Sequence, residues 1–255
     1  MKATMTIGFF DSGVGGFHVM ERVMQHMPDY SYAFYGDTKH VPYGDKKEEE
    51  IYRLTRNAVW YLFSAHNAQI VILACNTASA QTLRRLQDEF LVSRYPNRRV
   101  LGVIIPTVEE VVLRGYKKPL LIGTTRTINS GKYDQEFKKF DESIVLRTEA
   151  TSQLVPLIES GKLDEACQSL EALFLDHVSS GGDSIILGCT HYALLTPLLR
   201  ARYGSLVSII SQEEIIPHKL ADYLARHPEI ESSLSRKRGR EVVWSGEVNP
   251  QLIRK

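Results

Sequence analysis

Disulfides, metal clusters and membrane spans find little support in this chain. Cysteine occurs three times in 255 residues, a low and odd count that argues against a disulfide framework. No CxxC pair and no HxxxH spacing occurs, so a vicinal redox dithiol and the usual zinc spacings are absent. No apolar run approaches the ~20 residues of a membrane helix. Neither sign of charge dominates: 31 basic and 30 acidic residues leave a net charge of +1, which gives no general attraction to nucleic acid or an anionic membrane surface. The GxGxxG dinucleotide fingerprint, low-complexity stretches and short-period repeats are missing as well. Two charged runs, Lys46–Glu50 and Arg236–Arg240, read as an exposed helix start and a solvated turn. Met1–Met5 leads straight into the apolar run Thr6–Phe10, so no secretory leader is expected. A cytoplasmic protein with reduced thiols is therefore expected.

What is present is a regular alternation of short aliphatic runs and amphipathic stretches. Strands are predicted at 6–10, 31–35, 69–74, 100–105, 119–123, 144–149, 184–188, 207–211 and 241–245. Met20, Val23, Met24 and Met27 recur at helical spacing between the first two, and Ile51, Leu54, Ala58 and Leu62 between the second and third. The methionine series reads as core packing. Leu163, Ala166, Leu170, Leu173 and Phe174 mark another helix, with Cys167 inside it as a small core hydrophobe. Strand–helix alternation implies an α/β fold of parallel sheets covered by helices. The polar stretch Ser93–Arg99 separates two halves of similar pattern. Two similar lobes, each a mainly parallel sheet flanked by helices, are expected, with the active site in the cleft between them.

Cys75 and Cys189 end two of these runs in matching contexts, Ile70–Ser79 and Ile185–Ala193. Each has an aliphatic stretch, a small residue, the cysteine, then hydrogen-bonding side chains opening a predicted helix. Ligands bind at the C-terminal ends of parallel strands. A helix N-terminus or a cationic neighbour lowers a thiol pKa, so thiolate character is expected at both. His191 could tune Cys189, and Asp11 could play the matching part beside Cys75. Either cysteine alone is as well explained as an inert buried thiol; the duplicated context singles out the pair. Asp11-Ser12-Gly13-Val14-Gly15-Gly16 follows the first strand and suits anion binding at a helix start, or simply a tight capped turn. Pro42 and Gly44 place Tyr43 in a loop at the same strand ends. Cys75, Cys189 and His191 could count as three zinc ligands, but only one close pair exists, and no metal is expected. Ser12, Asn76, Thr77 and Thr190 surround the cysteines with few arginines. A carboxylate would then be held by hydroxyls, amides and backbone N–H groups. By position alone Glu159 reads as a surface glutamate.

These segments together resemble the glutamate racemases of the cofactor-independent aspartate/glutamate racemase superfamily. The resemblance rests on Asp11–Gly16, Tyr35-Gly36-Asp37, Val41-Pro42-Tyr43-Gly44, Ala74–Ser79, Gly102-Val103-Ile104, Val155–Glu159 and Gly188–Tyr192, in family order, with Val243–Gly246 similar to the family's last strand. It implies interconversion of L- and D-glutamate for peptidoglycan without cofactor or metal, by a homodimer acting on a small-molecule substrate. It also implies catalytic roles for Cys75 and Cys189 as acid/base thiols, for Asp11 beside the first, and for Glu159 and His191 beside the second. Ser12, Pro42, Tyr43, Gly44, Asn76, Thr77 and Thr190 match substrate-binding positions. The family fold places 1–99 plus 209–255 in the first lobe and 100–208 in the second. Three departures stand out: Ala193 where proline is common, Thr151-Ser152 where many members have Cys-Pro, and Ser211-Gln212 where Ser-Gly is usual. The competing readings are a racemase for aspartate or another amino acid, a regulatory binding protein on the same scaffold, and a thiol-redox protein, which would lack a vicinal dithiol.

Overall fold

The computed structural model describes residues 4–253. Nine strands form two sheets among these residues. The first has the order β4-β3-β1-β2-β9, with β1 Thr6–Asp11, β2 Tyr32–Gly36, β3 Ala68–Leu73, β4 Arg99–Gly102 and β9 Arg240–Trp244. The second has the order β6-β5-β7-β8, with β5 Pro119–Gly123, β6 Arg147–Ala150, β7 Ser184–Gly188 and β8 Ser208–Ile210. Every pairing within the two sheets is parallel. All residues of β3, β5 and β7 are buried. Continuous aliphatic runs of this kind need helices on both faces, which is why alternation of polar and apolar residues is absent from them.

The helices follow the same logic. Helix Gly15–His26 buries Val19, Met20 and Val23 against Ile7, Phe9 and Phe34 of the first sheet, so the methionine series is core. Helix Glu48–Ala65 buries Ile51, Leu54, Ala58 and Leu62. Its first turn carries Glu48, Glu49 and Glu50, favourably placed at the positive end of the helix dipole.

The helix expected through Leu163–Phe174 is two helices, Leu163–Gln168 and Glu171–Ser179. Ser169 donates its hydroxyl to the Ala166 carbonyl at 2.8 Å, and the Leu170 amide bonds the Cys167 carbonyl at 3.2 Å. This local bonding competes with a continuous ladder. Ala166, Cys167, Leu170 and Phe174 still share one core cluster. The strand expected to reach residue 105 stops at Gly102, and Ile104 opens helix Ile104–Leu113.

The expected boundaries at 99/100 and 208/209 run through strands. β4 extends the first sheet to Gly102, and β8 extends the second to Ile210. The polar stretch before β4 is tied to the first lobe: Arg98 donates to the Phe63 and Ala68 carbonyls at 2.8 and 2.6 Å. The chain then returns through helix Gln212–Arg226, whose Ile216, Leu220 and Leu224 join the core of helix Gly15–His26. β9 pairs with β2 to close the first sheet.

Parallel strands direct all their C-terminal ends to one edge of a sheet, and here the two edges meet. At Gly15 the lobes come close together: a Cβ there would lie 2.5 Å from the Thr190 carbonyl carbon and 2.6 Å from the His191 nitrogen. Both are backbone atoms that cannot rotate away. Gly15→Ala is predicted to wedge the lobes apart and expose Cys75 and Cys189, which are only 5% and 8% exposed. Their alkylation rates should rise in the folded variant; rates equal to those of the unsubstituted protein would contradict this contact.

Candidate active site

Where the lobes meet lies a cavity of about 20 Å³, room for about one water. Its walls include Ser12, Pro42, Tyr43, Gly44, Cys75, Asn76 and Thr77 from the first lobe, and Cys189, Thr190 and His191 from the second. The structure thus gathers every expected site residue except Asp11 and Glu159 on one surface, and those two stand directly behind it. Val41, Thr124, Val155 and Gly188 also line it. Val41, Val155 and Gly188 belong to segments quoted for the resemblance, though without a role of their own; Thr124 lies outside them. Thr124 follows β5 just as Cys189 follows β7, a position at a strand's C-terminal end that could have flagged it.

Cys75 ends the loop after β3 and caps helix Asn76–Arg85. Its sulfur accepts from the Ala78 amide at 3.4 Å and lies 3.2 Å from Ser12 Oγ. The helix start was expected to favour thiolate. Instead, burial and the neighbouring Asp11 push the thiol up to about 12, outweighing the hydrogen bonds from Ser12 and Ala78. Cys75 therefore holds its proton.

Asp11 is fully buried at the end of β1. It accepts from the Gly13 amide at 3.0 Å and from the Thr190 hydroxyl at 3.1 Å, the second bond crossing between lobes. Burial lifts its carboxyl above the ordinary value, against the pull of His191 and of the Gly13, Gly16 and Thr190 hydrogen bonds.

Cys189 differs from expectation in its local structure. The residues after it form a 3-10 turn, Thr190–Leu195, and the α-helix begins only at Thr196. Its partner is a side chain: His191 Nδ1 lies 3.8 Å from the sulfur. The other ring nitrogen, Nε2, lies 3.1 Å from Glu159 Oε1. Burial alone would strip the ring of its proton, yet the bonds to Cys189 and Glu159 and the nearby Asp11 hold it up to about 10. The imidazole is cationic at neutral pH. Glu159, at the end of helix Leu154–Glu159, is the carboxylate behind His191 rather than an idle surface group.

The remaining polar groups join the lobes. Thr77 Oγ1 lies 2.9 Å from Thr124 Oγ1 and 3.3 Å from Thr127 Oγ1. Asn76 pairs its carboxamide with Gln212, and Tyr133 donates to the Asn76 oxygen at 2.8 Å. Tyr43 turns its hydroxyl to Asp37 at 2.7 Å, which itself accepts from Ser245 Oγ at 2.6 Å, so the cavity meets the Tyr43 ring. No lysine or arginine lines the cavity; His191 is its positive charge. Among the described residues, no cluster of three or more His, Cys, Asp or Glu side chains is placed to hold a metal, and no helix is long and apolar enough to cross a membrane. The arrangement can offer a proton from one lobe and accept one on the other.

The protonated ring also links to stability. Its proton is held more tightly in the folded than in the unfolded chain, so its stabilisation is complete below the ordinary value of 6.5 and is lost as pH rises through about 10. In His191→Gln this component should vanish. Urea midpoints across that range should fall less steeply for the variant; identical slopes would contradict a cationic His191.

The family model of Asp/Glu/Hydantoin racemases matches residues 15–212. The glutamate racemase of Ruegeria pomeroyi is 36% identical over 246 residues, covering 90% of this chain and 88% of that protein. Among solved structures, glutamate racemase isoform RacE1 from Bacillus anthracis superposes with a TM-score of 0.83 at 28% identity, over 96% of this chain and 90% of that one. The glutamate racemase from Aquifex pyrophilus gives 0.75 at 31% identity, over 97% and 92% of the two chains. A racemase model spanning most of the sequence, and a curated racemase this similar along nearly its whole length, agree with the paired sulfurs: this chain belongs to the Asp/Glu/Hydantoin racemase family.

Proposed function

We propose that the protein interconverts L- and D-glutamate by two-base proton transfer at the α-carbon. The observation that carries this reading is the pair of sulfurs from different lobes lining one cavity, each with its own proton partner. Glutamate is chosen because the relatives and solved structures named above bear that name.

In the described state Cys75 carries a proton and Cys189 stands beside the His191 cation. Cys189 removes the α-proton from one face, and Cys75 delivers its own to the other. For the opposite enantiomer the set is reversed: Asp11 draws the proton from Cys75, and His191 hands one to Cys189. Asp11, lifted by burial, suits the first step, and the Nδ1–sulfur contact suits the second. The α-carbon is a weak acid, so the charge developing on the substrate carboxylate needs donors already in place in a dry site. Ser12, Asn76, Thr77 and Thr190, with the Gly44 backbone, are the groups at hand, while Pro42 and the Tyr43 ring form a wall. The small cavity makes parting and closure of the lobes part of each turnover. D-glutamate formed this way would serve peptidoglycan synthesis in the cytoplasm.

Racemisation of L-glutamate in deuterated water tests the scheme. D-glutamate should appear with deuterium at the α-carbon; deuterium-free product would eliminate proton exchange with the site. Cys75→Ala and Cys189→Ala should each lower kcat by about 10²- to 10⁴-fold, the usual worth of a positioned acid or base. Near-normal turnover in either would remove that thiol from the mechanism. A parallel assay with aspartate separates the two substrates: faster turnover of aspartate would overturn the choice of glutamate.

A further inference from the structure

Behind Asn76 lies a set of polar groups that the proton-transfer scheme does not use. These are Thr107, Tyr133 and Gln212, and like Asn76 each is no more than 3% exposed. With Asn76 they come from four helices, Asn76–Arg85, Ile104–Leu113, Lys132–Phe140 and Gln212–Arg226. We infer that Gln212 is a positioning residue for this reaction, fixing the Asn76 carboxamide so that it presents an N–H, not its oxygen, to a substrate carboxylate. This rests on the glutamate racemisation proposed above and extends it to a residue outside the cavity wall.

Hydrogen-bond polarity fixes the orientation of both amides. The Thr107 hydroxyl donates its single hydrogen to the Val103 carbonyl at 2.7 Å. Its oxygen can then only accept from Gln212, whose Nε2 lies 3.2 Å away. The Tyr133 hydroxyl donates to Asn76 Oδ1 and accepts from the same Nε2 at 3.0 Å. Thr107, its hydrogen already committed, thus determines which end of the Gln212 amide is nitrogen, and the Tyr133 bonds agree with it. The paired amide is set in turn: Gln212 Oε1 accepts from Asn76 Nδ2 at 2.7 Å, and Gln212 Nε2 donates to Asn76 Oδ1 at 2.9 Å, the two hydrogens of Nε2 being shared among three acceptors. Turning Asn76 over would set oxygen against oxygen and nitrogen against nitrogen.

The consequence falls on the cavity that Asn76 lines. Its oxygen already accepts two hydrogen bonds, filling both lone pairs. One of its two amide hydrogens goes to Gln212, and the other is left for a ligand. With no lysine or arginine among the lining residues, a donor of fixed polarity discriminates a carboxylate from an ammonium group at that place. The second lobe, through Thr107 and Tyr133, thereby sets the orientation of a group adjacent to Cys75 in the first.

Steady-state kinetics of Gln212→Ala, Asn76→Ala and the double variant test this. Gln212→Ala should raise KM for glutamate by about tenfold, the scale of one lost buried hydrogen bond, with kcat within about threefold. The double variant should be no worse than Asn76→Ala, because the two act through one contact. Gln212→Met, which keeps the volume, should reproduce the KM effect and carries the test if the alanine variant does not fold. An unchanged KM in Gln212→Met, or losses that multiply in the double variant, would overturn the inference. Were the unsubstituted protein inactive on glutamate, the functional reading would fail by itself. Hydrogen exchange of the Asn76 side-chain amide by NMR then decides the positioning claim: protected in the unsubstituted protein and released in Gln212→Met supports it, while equal exchange in both overturns it.

Discussion

Desolvation governs this site. Asp11, Cys75, Cys189 and His191 are all buried within one small region, where a charge without a partner is costly. Each proton therefore settles where the neighbours can compensate. Cys75 faces Asp11 and keeps its hydrogen. His191, between Cys189 and Glu159, keeps one as well. The two halves of the site are consequently not equivalent even though both sulfurs follow a buried parallel strand: one leans on a helix start and a serine, the other on an imidazolium. The same dryness that holds the protons in place would give any donor aimed at a bound carboxylate more effect than it has in water.

The fold produces this by bringing the edges of two parallel sheets together. β1 and β3 are neighbours in the first sheet, so Asp11 and Cys75 emerge side by side. β5 and β7 are neighbours in the second, so Thr124 and Cys189 do the same. Contacts between lobes run through residues of the cavity and its back wall: Asp11 with Thr190, Thr77 with Thr124, and Asn76 with Tyr133. Several of the bonds that hold the lobes together are thus made by cavity residues themselves, which couples closure to the arrangement of the site.

Much of this was legible in the sequence because it depends on short-range pattern. Aliphatic runs such as Ile70–Leu73 and Ile185–Leu187 mark buried parallel strands, and the residues just past each strand's C-terminal end mark the site. The resemblance added Glu159, which its position alone left as a surface residue. Less legible were features set by contacts distant along the chain. Ser169 breaks a helix whose apolar spacing is intact. Ser93–Arg99 looks like a linker but is anchored by Arg98 to the last turn of helix Glu48–Ala65 and the start of β3. The helix start at Cys75 suggested a thiolate, and only burial beside Asp11 reverses that. Gln212 stands 136 residues from Asn76, and no local pattern ties the two together.

The central claim is that the buried proton inventory of the closed site includes a cationic His191. NMR of protein carrying ¹⁵N-labelled histidine measures this directly. Both ring nitrogens of His191 should report the protonated form at neutral pH and lose it only in the alkaline range. A neutral tautomer at neutral pH, with one ring nitrogen bare, would contradict the account.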